Sequence, residues 1–318
     1  VPYDPERITH NLQNTIVSYV SDPPRTDDGY TRWLTLLKYR QAGASTTAAM
    51  CFYPKAAYNK GWYHVTIADN KDRADGLHER IMFTHEEWDP LIRTNQKIST
   101  ETRNLTLENF SRMRVLSGGS GAVGIGRSVS SLLASELPYW EDAGTQFSLV
   151  NPSMLNRLHS LMLKEATPAP LNEPSATWWR DECYDAKRGA GRSIYAFFPY
   201  WDGKLNVRMW PKGQKPDQEE LKLLEKYGKY GLSLEHLAFR RFAMDSDPEI
   251  RRNHDLFGVY YPFDDSSCWI SSGSSVIPAH IMARHRDTHR PEEGDYVEYE
   301  PPEADAQYVI GVDPAGYG

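Results

Sequence analysis

The chain has 318 residues, of which 40% are hydrophobic and 25% are charged, and its formal net charge at pH 7 is -7. This composition is typical of a globular protein long enough for one large domain or two small ones. The acidic balance argues against a protein that permanently coats nucleic acid, because such proteins carry a dense basic footprint. Transient DNA contact through local basic patches stays open.

The cysteines and the apolar runs restrict the environment of the protein. Its three cysteines, Cys51, Cys183 and Cys268, are widely spaced and form no CxxC pair, which favours a reducing cytoplasm over a disulfide framework. The sequence has no run of about 18 apolar residues, so no membrane span is expected. The chain starts at Val1 without a signal-peptide pattern, which is compatible with a trimmed N-terminus.

Short apolar runs alternate with helical patterns along the first two-thirds of the chain, and this alternation favours an α/β domain with a mostly parallel sheet. Strands are predicted at residues 33–39, 62–68, 113–117, 129–134, 158–163 and 194–198. Helices are predicted at residues 46–53, from Asp69 or Asn70 to about residue 83, at 217–227 and at 233–242. Residues 287–306 are rich in charge and proline and are predicted to be a linker, after which residues 308–312 start a new strand.

The loop at residues 40–47, RQAGASTT, follows the first predicted strand and has the small residues of a phosphate-binding loop. Gly43 allows backbone N–H groups to approach phosphates at a helix N-terminus, and the hydroxyl of Ser45 or Thr46 can bind Mg²⁺. The usual GxxxxGK(S/T) pattern is not met, because the first glycine is missing and Ala44 stands where lysine belongs. An ordinary strand-to-helix turn explains this loop equally well.

A second candidate group stands at the end of the strand predicted at residues 129–134, where Ser135 and Glu136 follow. The carboxyl ends of strands are where α/β sheets place chemistry, and P-loop ATPases use one acid to help hold Mg²⁺ and a neighbour to orient the attacking water. Glu136 fits the second role, whereas Ser135 occupies the usual aspartate position, which predicts a weaker or water-mediated Mg²⁺ contact. A solvated glutamate at a strand end is the alternative. Lys38 and Arg40, upstream, are the cations available for phosphates.

The order of the candidate groups along the chain is itself informative about the fold. A phosphate loop near Gly43, a carboxylate near Glu136 and a threonine near Thr167 each follow a predicted strand, as a RecA-like ATPase requires. The blocks involved are KYRQAGASTT (38–47), SVSSLLASELPYWED (128–142), KEATPA (164–169), FGVYYPFDDSSCWISSG (257–273) and YVIGVDPAGYG (308–318). With these five blocks in order, the sequence resembles the large terminase subunit of tailed bacteriophages over nearly the whole chain.

The resemblance implies an α/β fold, a RecA-like P-loop ATPase with a mostly parallel sheet and a small lid subdomain, followed by the first strand of an RNase H-like nuclease. It implies a terminase ATPase domain at residues 1–286, with the RecA-like core at about 1–200 and the lid or linker subdomain at about 201–286. The linker would then cover residues 287–306, and residues 307–318 would begin the truncated nuclease domain.

The resemblance also implies roles for single residues. Arg40 would act on phosphates in cis, with Lys38 as a displaced lysine. Ser45 matches the Mg²⁺-binding hydroxyl, and Glu136 matches the catalytic glutamate. Thr167 lies in the coupling motif, which senses the γ-phosphate. The nucleotide-binding loop implied in this way consists of Gln41, Ala42, Gly43, Ala44, Ser45 and Thr46.

Three further assignments complete the implied site. Arg127 lies near the place of the family's trans-acting arginine finger, and a surface ion pair is an equally good interpretation. Asp313 matches the first metal-binding carboxylate of the nuclease, but a two-metal nuclease needs several acids, so no nuclease activity is expected of this chain. Gln13 is a candidate for the adenine-contacting segment.

The function implied by the resemblance is that of a genome-packaging motor in the host cytoplasm. It would hydrolyse ATP with Mg²⁺ and translocate double-stranded viral DNA into a procapsid. Its partners would be the portal protein, the small terminase subunit and further copies of itself in a ring. No association with a membrane is expected. Endonuclease activity with Mg²⁺ or Mn²⁺ is expected only of a full-length chain. The alternatives are a helicase-like DNA translocase and a degenerate nucleotide-binding assembly module.

Overall fold

The computed structural model describes residues 12–87, 97–118 and 128–270. The chain divides into two compact units, residues 1–274 and 275–318, and the fold described here is that of the first unit. Four predicted features lie outside the described residues: the linker at 287–306, the strand at 308–312, Asp313 and Arg127.

One eight-stranded sheet forms the centre of the fold, with the strand order β3-β4-β5-β2-β6-β7-β1-β8. Six neighbouring strands are parallel to one another, in the order β5, β2, β6, β7, β1 and β8, while β3 and β4 form an antiparallel hairpin at one edge. The strands are β1 Trp33–Lys38, β2 Tyr63–Ala68, β3 Lys97–Glu101, β4 Asn104–Leu107, β5 Arg112–Ser117, β6 Ser131–Ser135, β7 Leu161–Ala166 and β8 Ser193–Phe198.

Helices cover both faces of this sheet. They are α1 Leu12–Ser21, α2 Ala44–Tyr58, α3 Lys71–Glu87, α4 Ala143–Val150, α5 Pro152–Leu155, α6 Ala176–Lys187, α7 Gln218–Tyr227, α8 Leu234–Ser246, α9 Pro248–Arg252 and α10 Asp255–Tyr260. No helix of the described ranges combines the length and the hydropathy needed to cross a membrane.

Alternate residues of the central strands build two separate hydrophobic cores. In β1, Leu34 and Leu36 join the core that includes α1, α2 and α3, whereas Trp33 and Leu37 join the core that includes α4 and α6. Successive side chains of a strand point to opposite faces, so a strand covered on both faces must be apolar along its whole length. This requirement explains why the central strands read as continuous apolar runs in the sequence.

The α/β fold and its parallel strands were correctly predicted, but several details differ. The helix predicted at 46–53 extends over Ala44–Tyr58, and α1, α4 and α6 were not predicted. The strand predicted at 158–163 begins at Leu161, because residues 157–160 form a turn in which the Ser160 N–H donates to the Arg157 carbonyl. This shift brings Glu165 inside the strand. The hairpin β3–β4 was not predicted, because its strands are short, partly polar and at the sheet edge.

Residues 200–263 carry an aromatic cluster that joins the core of α1, α2 and α3. Tyr200 lies at its centre, with ring centroids of Phe257 and Phe263 at 5.3 and 5.1 Å. Trp201 and Tyr227 extend the cluster. The division into a RecA-like core at 1–200 and a lid at 201–286 stays a prediction.

Candidate nucleotide-binding site

A cleft of about 560 Å³ opens where parallel strands β1 and β6 end, between the first turn of α2 and the side of α3. Its volume is in the range of pockets that hold a small organic ligand. The residues that line it are Lys38, Gln41, Ala42, Gly43, Ala44, Ser45, Thr46, Asp72, Arg73, Gly76, Leu77, Arg80, Ser135 and Glu136. The cleft therefore contains the whole loop that the sequence predicted for nucleotide binding.

The loop between β1 and α2 turns sharply so that the helix starts at the cleft. Gln41 and Gly43 have positive φ angles of 62° and 77°, the left-handed region that glycine adopts readily and glutamine does not. The N-cap residue of α2 is Gly43, which has no side chain that could accept hydrogen bonds from the first-turn N–H groups. These N–H groups and the helix dipole therefore favour an anion in the cleft. Gln13 Nε2 donates to the Ala42 carbonyl at 2.9 Å and supports the loop from α1.

The ammonium group of Lys38 connects the ends of three strands. Its Nζ lies 2.8 Å from Glu136 Oε1, 3.2 Å from Thr167 Oγ1 and 3.3 Å from Glu165 Oε2. Burial alone would lower the pKa of this ammonium, but Glu136 and Glu165 outweigh burial and raise the pKa above its usual value. Lys38 therefore stays charged at neutral pH although its side chain is only 4% exposed.

Glu136 follows β6 in a strained backbone conformation. Its φ of 56° is left-handed, which costs an L-residue about 1 kcal/mol and is typical of functional sites. The Thr167 N–H donates to Glu136 Oε2 at 3.4 Å, and the buried Trp140 Nε1 donates to the Ser135 carbonyl at 3.0 Å and fixes the strand end. Burial raises the pKa of the Glu136 carboxyl, but Lys38 more than offsets this, so the pKa lies below its usual value and the group is ionised.

Glu165 is a site residue that the sequence analysis missed. It is fully buried in β7, and the Ser45 hydroxyl donates to its Oε1 at 2.7 Å. The Ser135 hydroxyl in turn donates to Ser45 Oγ at 3.2 Å. Burial raises the pKa of the Glu165 carboxyl, and Lys38 offsets only part of that effect. The signal was present in the sequence, because Glu165 lies two residues beyond the strand predicted at 158–163, the same offset as Glu136 from its predicted strand, but this strand end was assigned to Thr167.

Comparison with known proteins identifies the fold. No protein-family model and no curated protein matches the sequence. The structure of the HK97 bacteriophage large terminase is similar with a TM-score of 0.52 and 13% identity, over 79% of this chain and 50% of that chain. The large terminase ATPase domain of Thermus phage P74-26 is similar with a TM-score of 0.50 and 12% identity, over 79% of this chain and 92% of that chain.

This chain has the fold of a large-terminase ATPase domain. It spans about half the length of the HK97 large terminase and most of the length of the separate P74-26 ATPase domain. At 12–13% identity the similarity concerns the fold, and the roles of single residues have to be argued from the site itself.

Two cations of the cleft were also missed by the sequence analysis. Arg73 and Arg80 project from α3 and line the cleft opposite the loop. Arg73 is also paired with Asp69, with 3.1 Å between Nη1 and Oδ2. The spacing of seven residues between the two arginines is two helical turns, which places both on one face and could have been recognised in the sequence.

Not every site residue implied by the sequence resemblance lies in the cleft. The Arg40 guanidinium stacks on the Tyr260 ring, 4.0 Å from its centroid, and among the described residues Arg40 does not line the cleft. Its backbone N–H also donates to the Tyr260 carbonyl at 2.8 Å. Thr167 is buried behind Lys38 and contacts the site through that ammonium. A phosphate role for Arg40 would require it to leave Tyr260.

The donor atoms of the site suit a magnesium ion that arrives with a nucleotide. Within the described ranges, no group of three or more His, Cys, Asp or Glu side chains could hold a metal ion by itself. Mg²⁺ usually binds through one or two protein oxygens together with substrate phosphates and water, so no such group is needed. The Ser45 hydroxyl, hydrogen-bonded to a buried carboxylate at the phosphate loop, is an oxygen donor of this kind.

Proposed function

We propose that this terminase-like chain hydrolyses ATP and uses the reaction to translocate double-stranded viral DNA into a procapsid. The observation that carries the proposal is the Lys38 ammonium, which contacts Glu136 and Thr167 at the edge of a cleft lined by the Gly43 loop. Phosphoryl transfer depends on positive charge and backbone N–H groups placed around the phosphates, and Lys38 and the loop at residues 41–46 line the same cleft.

Each residue of the cleft has a chemical task in this proposal. The N–H groups of residues 41–46 bind the phosphates, and the Ser45 hydroxyl contributes to Mg²⁺ binding. When bound, Mg²⁺ would neutralise phosphate charge. Lys38 stabilises the negative charge that develops on the transferred phosphoryl group, and Glu136, which is ionised, orients the attacking water. Arg73 and Arg80 supply further positive charge from α3.

The contacts of Lys38 also supply a route from hydrolysis to movement. The Lys38 ammonium holds Glu136 and Thr167 together. A γ-phosphate that attracts this ammonium would loosen the Thr167 contact at the end of β7. We propose that this exchange is how Thr167 performs a coupling role.

The wider packaging function rests on the fold and on the resemblance of the sequence blocks. In the proposal, copies of the chain form a ring on the portal protein, receive DNA from the small terminase subunit, and Arg127 of one copy serves the neighbouring site. A nuclease that uses Asp313 and Mg²⁺ or Mn²⁺ would belong to a longer chain. These proposals draw on the similarity to large terminases and on the resemblance of the sequence blocks.

Phosphate release from MgATP tests the proposed enzyme. We expect turnover by the wild-type chain that duplex DNA stimulates, and a loss of about 100-fold or more in Glu136→Gln, because the amide cannot accept a proton from water. Glu141→Gln, a change at an exposed position close by, is the matched control and should keep the wild-type rate.

Two results would favour the alternatives. Nucleotide binding without any turnover would support the degenerate assembly module. Ala44 and Ser135 favour this alternative, because they stand where the usual lysine and aspartate would be. Turnover stimulated by single-stranded DNA and not by duplex DNA would support a helicase-like translocase.

A further inference from the structure

The strand that ends in the catalytic candidate Glu136 lacks an acid at the preceding position. Ser135 stands there, and its neutral hydroxyl is a weaker ligand for a hard divalent cation than a carboxylate. In the sheet register, the residue directly opposite Ser135 on the neighbouring parallel strand β7 is Glu165. A carboxylate therefore lies at the same level of the sheet, one strand away.

Glu165 is oriented towards the phosphate loop. Its Oε1 accepts the Ser45 hydroxyl at 2.7 Å, and the Ser135 hydroxyl joins this pair at 3.2 Å from Ser45 Oγ. Within the described part of the chain, Glu165 Oε2 accepts no hydrogen bond and lies 3.3 Å from the Lys38 ammonium. Glu165 thus contacts both the Ser45 hydroxyl, the proposed Mg²⁺ ligand, and the Lys38 ammonium, the proposed phosphate-binding cation.

A purely structural role does not explain this arrangement. Placing a carboxylate in a fully buried position costs several kcal/mol unless partners compensate. Lys38 already has Glu136 as a partner at 2.8 Å, so charge balance for the ammonium does not require a second acid. Replacement of a buried charged group and its partners by apolar residues of similar volume often leaves the free energy of unfolding unchanged or raises it. Stability alone therefore gives no reason for Glu165.

We infer that Glu165 is the metal-positioning acid of this site, which performs from β7 the task that Ser135 cannot perform from β6. Glu165 orients the Ser45 hydroxyl and supplies the negative charge that favours Mg²⁺ beside the phosphates. Glu165 is fully buried and, among the described residues, is not part of the cleft lining, so it acts on the ion through Ser45. The Ser45 hydroxyl fits as an oxygen donor that Mg²⁺ accepts together with phosphate oxygens. This inference rests on the proposed nucleotide site and adds the acid that the sequence pattern of that site lacks.

Calorimetric titration of the full chain with ATPγS, in Mg²⁺ and in EDTA, tests the inference without relying on turnover. The wild type should bind more tightly in Mg²⁺ than in EDTA. In Glu165→Gln, which keeps the side-chain shape, we expect this gain to shrink by about tenfold or more, with the affinity in EDTA unchanged or higher because a negative charge has been removed. The double variant Glu165→Gln with Ser135→Asp should recover the gain.

The matched control removes an acid next to the same strand but away from the cleft. Glu182 pairs with Lys164, the neighbour of Glu165 in β7. Glu182→Gln should leave the gain from Mg²⁺ at the wild-type value.

The outcomes separate the inference from the proposed function. An undiminished gain from Mg²⁺ in Glu165→Gln overturns the inference and leaves the nucleotide site standing. Equal weakening in Mg²⁺ and EDTA, without recovery by Ser135→Asp, also overturns it, because Glu165 then only supports the loop. Absence of ATPγS binding by the wild type overturns both.

Discussion

At the scale of single residues, Lys38 decides the character of the site. A lysine is rarely buried to 96%, and here its stem passes through the end of β1 so that the ammonium meets two carboxylates within 3.3 Å. The usual loop lysine is absent because Ala44 is there, and Lys38 brings the cation from six residues upstream. The two acids and the ammonium stabilise one another, and none of them would be tolerated alone.

Substitution of Lys38 by methionine should expose this mutual dependence. Glu136 and Glu165 would remain buried without a cation, so Lys38→Met should lower the free energy of unfolding by about 3 kcal/mol at pH 8. Without the ammonium the folded-state pKa values of both carboxyls rise, the folded protein binds protons more readily, and the loss should be smaller at pH 5. Urea unfolding at both pH values measures it, with the exposed Lys204→Met as control; a loss that is the same at both values contradicts the argument.

His64 is a second buried ionisable residue, and it lies in β2, outside the cleft lining. Its Nδ1 is 2.8 Å from Ser131 Oγ, its Nε2 is 2.8 Å from Thr66 Oγ1, and its ring stacks on Phe52. Both hydroxyls and the apolar ring suit a neutral imidazole. Burial lowers the pKa of His64 to about 3.

The stability of the protein should therefore depend on pH through His64. Between pH 6.5 and about 3 the unfolded state binds a proton at this residue and the folded state does not, so this contribution to stability decreases as the pH falls. The slope is about 1.4 kcal/mol per pH unit. Compared with His64→Gln, the wild type should lose about 2 kcal/mol of relative stability between pH 7 and pH 5 in urea unfolding. A constant difference between the two proteins over this range would show that His64 takes up a proton as readily in the folded protein as in the unfolded chain, which contradicts the lowered pKa.

At the scale of elements, the turn from β1 into α2 makes the anion site. Gly43 has a φ of 77° and lines the cleft, and a Cβ added there would meet Gln13 Nε2 at 3.4 Å. Gly61 has a similar φ of 69°, but it lies before β2 with nothing within 4 Å of an added Cβ. The two glycines thus separate backbone strain from ligand contact.

We expect Gly43→Ala and Gly61→Ala to destabilise the fold by about 1 kcal/mol each, because both place an L-side chain in the left-handed region. Only Gly43→Ala should also weaken ATPγS binding. Thermal unfolding and calorimetric titration of the pair give the two quantities. Equal nucleotide affinities in the two variants would argue that the loop does not touch the phosphates.

The elements also show what could be read from the sequence. The loop at 40–47 and the acid at 136 were found because polar or charged side chains there directly follow a long apolar run. Glu165 stands at the same distance from a predicted strand as Glu136, but the site at that strand end was assigned to Thr167 instead. The strand was also predicted too early, because Leu158 in the turn at 157–160 is apolar but 45% exposed. The spacing of Arg73 and Arg80 indicates that they share one face of α3, but the sequence carries no sign of what that face meets across space.

At the scale of the whole molecule, the alternation of apolar runs and helical patterns was sufficient to predict the α/β class and six parallel strands. Strand order was not predictable in the same way, because β1 lies between β7 and β8, far from its neighbours in sequence. This order brings Lys38, Glu136 and Glu165 to one edge of the sheet. The site is therefore a product of topology, and motif spacing alone cannot define it.

The most direct test of the account is a crystal structure of the chain with ATPγS and Mg²⁺. We predict that the triphosphate lies on the N–H groups of residues 41–46, with the γ-phosphate beside Lys38 and Glu136 and with Arg73 and Arg80 facing the phosphates from α3. A nucleotide bound elsewhere, or a cleft that stays without nucleotide at saturating ATPγS, would contradict the claim that these residues form one ATP site.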